Sequence, residues 1–169
     1  MTDTPMSALG QARMMENLYW WGIPSLFRCP IETDPAACDI ALIGVPHSTG
    51  NGTTERDQHL GPRAVRNISA LARRVHLEMG LDPWEATRVA DLGDVPVNPI
   101  DLFDTLKKVE DYYTRLHAAG ILPLTAGGDH LISLPIMRAI GKDAPLGMVH
   151  FDAHTDTWDR YFGDHHYTH

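Results

Sequence analysis

Ile121-Leu122-Pro123-Leu124-Thr125-Ala126-Gly127-Gly128-Asp129-His130 and Leu146-Gly147-Met148-Val149-His150-Phe151-Asp152-Ala153-His154-Thr155-Asp156 share one plan, an apolar run of strand length that passes straight into carboxylates and imidazoles. Ile121–Leu124 and Leu146–Phe151 read as strands, with a helix from about Leu131 to Ile140 between them. Working outward, Ile40-Ala41-Leu42-Ile43-Gly44-Val45 is a continuous apolar run closed by Pro46, the pattern of a strand buried on both faces. A Gly/Thr-rich loop (Ser48 to His59) leads to Gly61-Pro62-Arg63, which opens a helix with proline in its first turn and Val65, Ile68, Leu71, Ala72 and Val75 on one stripe. Val89–Asp94 is a short strand. Asn98-Pro99 then starts a long helix whose Ile100, Phe103, Leu106, Val109, Tyr113 and Leu116 form one apolar stripe ending at Gly120. The order is β-α-β-α-β-α-β. Strands separated by helical patterns of this length require right-handed crossovers, which predicts an α/β fold of three layers, α-β-α, around a parallel central sheet. Residues 1–38, with Pro5, Pro24, Pro30, Pro35 and scattered aromatics, read as an irregular arm on a domain spanning 39–169.

Composition narrows the function. With 14 Lys+Arg against 22 Asp+Glu, a net charge of -8 and no basic cluster, the chain has no electrostatic footprint for nucleic acid or an anionic membrane, and small cationic substrates suit it better. No apolar run is long enough to span a bilayer, and the polar start Met1-Thr2-Asp3-Thr4 lacks the basic and apolar regions of a secretory signal, so the expected location is cytoplasmic. Cys29 and Cys38 have no Cys-x-x-Cys spacing and read as reduced structural thiols. Six of the ten histidines and five aspartates fall between His130 and His169, which directs attention to that stretch.

Asp152, His154 and Asp156 alternate, so on an extended segment their side chains share one face. They follow an apolar strand and therefore belong at its carboxyl end, where open α/β sheets build their sites. His130 ends the preceding strand in the same way, after two glycines that permit a sharp turn. Carboxylates with imidazole and no thiolate suit Mn(II), Co(II) or Ni(II) better than structural zinc. His150 reads as a structural histidine at the strand end.

Thr125-Ala126-Gly127-Gly128-Asp129-His130 and His150-Phe151-Asp152-Ala153-His154-Thr155-Asp156 resemble the two amino-terminal signature motifs of the ureohydrolases, the arginase and agmatinase family of dinuclear metal hydrolases. Gly44-Val45-Pro46, Leu60-Gly61-Pro62-Arg63-Ala64-Val65-Arg66 and Asp91-Leu92-Gly93-Asp94 follow the order that family shows. Val97–Leu102, Asp159–Asp164 and Tyr167-Thr168-His169 look most like the guanidinopropionase and guanidinobutyrase branch. The resemblance implies that His130, Asp152 and Asp156 ligate one metal ion, that His154 ligates a second, and that Asp152 bridges the two. It implies Mn2+ as the metal with Ni2+ as the alternative, a proton-shuttle role for His169, and a trimer or hexamer. His165 and His166 fall in the implied substrate loop. Where the family usually carries an aromatic-Asp pair and a Gly-Ala-Arg triplet, this chain has His47-Ser48 and Asp57-Gln58-His59, which places His47 and His59 at the expected mouth of the site, where they should tune substrate preference. The family is roughly twice this length, and the resemblance places an Asp-x-Asp ligand pair and a guanidinium-gripping glutamate in a carboxyl half.

The implied reaction is hydrolysis of a guanidino compound, a guanidino acid first, to urea and an amine. Agmatine and guanidine or biguanide (metformin-like) substrates are alternatives, as is a non-catalytic ureohydrolase-like subunit. Resonance makes the guanidinium carbon a poor electrophile, and metal ions supply hydroxide by lowering a water pKa from about 15.7 to about 7. Asp156 would hold the nucleophile's proton and His169 would pass a proton to the departing amine. Two divalent ions a few Å apart repel by on the order of 20 kcal/mol at an effective dielectric of about 20. The two carboxylates among the four ligands of this stretch offset only part of that, so these residues alone should not hold both ions.

Overall fold

The computed structural model describes residues 20–48, 57–72, 75–76, 78–160 and 163–166. Most of the loop before His59, and Tyr167, Thr168 and His169, lie outside the described residues. Three strands form a parallel sheet in the order β2-β1-β3, with β1 at Ile40–Val45, β2 at Val89–Asp94 and β3 at Leu122–Gly127. Successive β1 side chains divide between two layers, as a pleated strand requires. Ala41, Ile43 and Val45 enter a core with Val109, Tyr113 and Leu116 of the long helix and Ala139 near the end of the chain's last helix. Leu42 enters a second core with Leu26, Cys29 and Val65 on the opposite face. The three-layer α/β expectation is met.

Among the described residues the α-helices are α1 (Gly61–Ser69), the single-turn α2 (Pro83–Ala86), α3 (Leu102–Ala118) and α4 (Ser133–Ile140). The Asp101 carboxylate, not Asn98-Pro99, caps α3 by accepting from the Asp104 amide at 3.0 Å. Ile100 therefore stands before the helix, and the buried stripe begins at Thr105 and Leu106. The stripe expected on α1 is met only in part: Val65 packs in the second core and Pro62 and Ser69 are buried, whereas Ile68 and, beyond the helix end, Leu71 are exposed. The reason is the arm, which crosses at this point; the Phe27 amide donates to Ser69 Oγ at 2.9 Å.

The same arm is fixed by the buried Asp91. Its carboxylate receives Arg66 Nε at 2.8 Å and Nη2 at 2.9 Å, together with the amides of Leu26 and Gly93, both at 2.8 Å. Burial alone would raise the Asp91 carboxyl, yet these donors hold it below the usual carboxylate range. Arg66 also reaches Asp94 Oδ1 at 2.6 Å, so one guanidinium ties α1 to the end of β2. Cys29 and Cys38 are free and buried.

The expected fourth strand is not formed. Leu146–Phe151 runs without a β-ladder, and Val149 and Phe151 are 84% and 93% exposed. A strand of this apolar composition is stabilised by cover on both faces, and the described residues provide none for this segment. No helix among the described residues is long and apolar enough to cross a membrane.

Candidate metal centre

Two segments meet beyond the carboxyl end of β3. The first is the turn after Gly127-Gly128, where the Asp129 carboxylate caps a 3-10 turn at His130–Ile132 by accepting from the Leu131 amide at 3.1 Å. The second is the Asp152–Asp156 segment. The His154 amide donates to Asp152 Oδ1 at 3.0 Å, folding the backbone back on itself. Asp156 lies at φ 48, in the left-handed region that Asp tolerates better than most residues.

The two segments converge on His130 Nδ1. Asp156 Oδ2 lies 3.1 Å from it and Asp152 Oδ2 3.5 Å from it. The Asp156 side chain is 4% exposed. Neither of its oxygens, nor His130 Nδ1, has a hydrogen-bond partner among the described residues, so the 3.1 Å approach is a convergence of atoms rather than an aligned bond. A buried carboxylate left unsatisfied costs at least about 1–3 kcal/mol, and a cation between these atoms would remove that cost. The donor set therefore fits a divalent ion bound by oxygen and nitrogen.

His150 joins this group. Its Nε2 lies 3.3 Å from Asp152 Oδ2, its ring centroid is 4.9 Å from that of His130, and His130, His150 and Asp152 offer ligand atoms all within 4.8 Å of one another. Reading it as a plain strand-end histidine overlooked a signal the sequence carries: positions 150 and 152 are two apart and share a face on any extended segment. Burial disfavours the charged Asp152 carboxylate, but the His154 amide and the imidazoles of His150 and His130 hold its pKa below the usual range.

The other candidates lie apart from this convergence. His154 is 60% exposed on its side chain, with Nδ1 4.0 Å from Asp152 Oδ1. His165 Nδ1 is 2.8 Å from the Asp159 carbonyl, and His166 Nδ1 is 3.2 Å from Asp164 Oδ1 with its ring edge-on to Phe103. His59 is exposed on the turn before α1. His47 is buried at 3% exposure, and its Nε2 is 3.8 Å from Asp129 Oδ2. Burial pushes the His47 imidazole below its usual pKa against the pull of the Asp129 carboxylate. His169 lies outside the described residues.

A family model for the arginase family matches residues 38–169. The chain belongs to the arginase family. It is 57% identical over 148 residues to guanidinopropionase from Pseudomonas aeruginosa, an alignment covering 88% of this chain and 46% of that enzyme. Among solved structures, proclavaminate amidino hydrolase from Streptomyces clavuligerus superposes with a TM-score of 0.80 at 28% identity, covering 89% of this chain and 50% of that one. The formiminoglutamase of Trypanosoma cruzi with Mn2+2 superposes with a TM-score of 0.57 at 25% identity, covering 72% and 42% of the two chains. This arginase-family chain spans about half the length of the relatives it matches.

Proposed function

We propose that this chain is the amino-terminal portion of a dinuclear-metal hydrolase that cleaves a guanidino acid to urea and an amine. The observation that carries the metal reading is the convergence of His130 Nδ1 and the buried Asp156 carboxylate, all three atoms lacking a hydrogen-bond partner among the described residues. The substrate class rests on the 57% identity to guanidinopropionase. His130, Asp152 and Asp156 would hold one ion and His154 the second, with Asp152 shared. Mn2+ is the favoured metal, in line with the T. cruzi relative, and Ni2+ the alternative. When bound, such ions supply Lewis acidity and hydroxide at neutral pH.

The remaining work falls to the chain. Asp156, shielded from water, accepts the proton of the attacking water, and His169 passes a proton to the departing nitrogen. Water adds to the guanidinium carbon, the bond from that carbon to the substituted nitrogen breaks, and urea and the protonated amine leave. His59, His165 and His166 are the proposed substrate contacts. The remaining ligands come from a carboxyl half, and the assembled protein is a cytoplasmic oligomer.

The test is urea release by the complete protein loaded with Mn(II) or Ni(II), comparing guanidinopropionate, guanidinobutyrate, agmatine and dimethylbiguanide. Guanidinopropionate is expected to turn over fastest. A complete, metal-loaded protein that releases urea from none of them would instead be a non-catalytic ureohydrolase-like subunit.

A further inference from the structure

The two stretches in which this chain departs from the usual family pattern, His47-Ser48 and Asp57-Gln58-His59, meet each other and the ligand-bearing turn. Ser48 Oγ donates to Gln58 Oε1 at 2.9 Å, joining them directly. The Gly128 amide donates to the Gln58 carbonyl at 3.2 Å, and the Asp129 amide donates to the His47 carbonyl at 3.0 Å. Gly127-Gly128-Asp129 is thus gripped through its backbone from both sides, immediately before His130.

The fit is close enough to exclude a side chain. Gly128 has φ +65, and a Cβ there would run into the Val45 carbonyl oxygen; a Cβ at Gly61 would run into the Gly127 carbonyl oxygen. The same carboxylate that faces His47 through Oδ2 caps the His130–Ile132 turn through Oδ1. A movement of His47 therefore passes through one rigid carboxylate to the residue beside it, His130.

We propose that His47, with Ser48 and Gln58, is a clamp that positions His130 for metal binding, and that His47 is a positioning residue rather than a substrate contact. This rests on the metal reading of His130 given above. At 3% exposure His47 has almost no surface to offer a substrate, whereas Asp129, also 3% exposed, lies against it.

The experiment is a Mn(II) titration of the complete metal-free protein, read by calorimetry, alongside KM for guanidinopropionate at saturating metal. Residues hydrogen-bonded directly to a metal ligand typically contribute about 10- to 100-fold to metal affinity, and His47, acting one residue removed through Asp129, should reach the low end, about 10-fold. His47→Leu, which keeps bulk and removes polarity, is expected to weaken Mn(II) binding by about that factor, whereas His47→Gln, which retains a polar group reaching towards Asp129, stays within about threefold of wild type. KM should be unchanged in both. Adding Asp129→Asn to His47→Leu should weaken binding no further, because the two act as one unit. If His47→Leu fails to fold, Ser48→Ala carries the test, with an expected loss of roughly five- to tenfold in affinity from one hydrogen bond, outside the threefold range allowed to His47→Gln. A raised KM with unchanged Mn(II) affinity would make His47 a substrate contact, and a lower Tm with unchanged affinity would make it packing only; either overturns the clamp. Wild type that binds Mn(II) without releasing urea, with His47→Leu still weakened, upholds the clamp and sinks the hydrolase reading. Wild type that binds no Mn(II) sinks both.

Discussion

Replacing Arg66 with Met leaves the buried Asp91 carboxylate, among the described residues, with the Leu26 and Gly93 amides as its remaining donors. The Arg66 and Asp91 side chains are 12% and 3% exposed, so the two guanidinium bonds at 2.8 and 2.9 Å are shielded from solvent. Breaking a buried pair by removing one partner costs about 3–5 kcal/mol, because the remaining charge is uncompensated. The two surviving amides place the expected loss at the low end, about 3 kcal/mol. The outer contact to Asp94, whose side chain is 43% exposed, adds little. In the complete protein the loss is a fall in Tm of several degrees. The pH dependence follows from the direction of the Asp91 shift. Its folded pKa is depressed, so the stability it contributes is fully present above the unfolded value of about 3.9 and is lost as pH falls through the folded value. In Arg66→Met the guanidinium no longer opposes burial, the Asp91 pKa rises, and protonation relieves the buried charge at a higher pH. The deficit relative to wild type should therefore be largest near pH 7 and shrink towards pH 4. Urea unfolding followed by circular dichroism at several pH values measures this, and Arg66→Met/Asp91→Asn should be more stable than Arg66→Met alone. A loss below about 1 kcal/mol, or one that is constant with pH, would refute the assignment of Asp91 as a buried charge held by Arg66.

Asp152→Asn is expected to abolish urea release and lower bound metal together, as metal analysis of the complete protein would show; unchanged stoichiometry would remove Asp152 from the centre. His169→Ala is expected to keep its metal while turnover falls about 10²- to 10⁴-fold, with partial rescue by free imidazole, and a fall of less than about threefold would leave it a plain loop residue.

The element order was legible because it is written locally. Ile40–Val45 is apolar at every position, and such a run is stable only with cover on both faces, as its placement between β2 and β3 provides. The alternation of Asp152, His154 and Asp156, and the Gly-Gly turn before His130, were equally visible, since ligand spacing along one segment is a property of the chain itself. Tertiary structure alone decided which segments meet. Only because β1 and β3 are parallel neighbours do His47 and Asp129, which follow their carboxyl ends, come into contact, and no periodicity in either segment records that adjacency. For the same reason an apolar pattern over Leu146–Phe151 did not make a strand, because pattern sets what a segment would bury while a ladder needs a neighbour to bond. The backbone bends at His154 and Asp156 and brings Asp156, rather than His154, against His130 Nδ1. Which residues are candidate ligands is thus a matter of residue type and order, and their geometry is set by contacts between segments far apart in the chain.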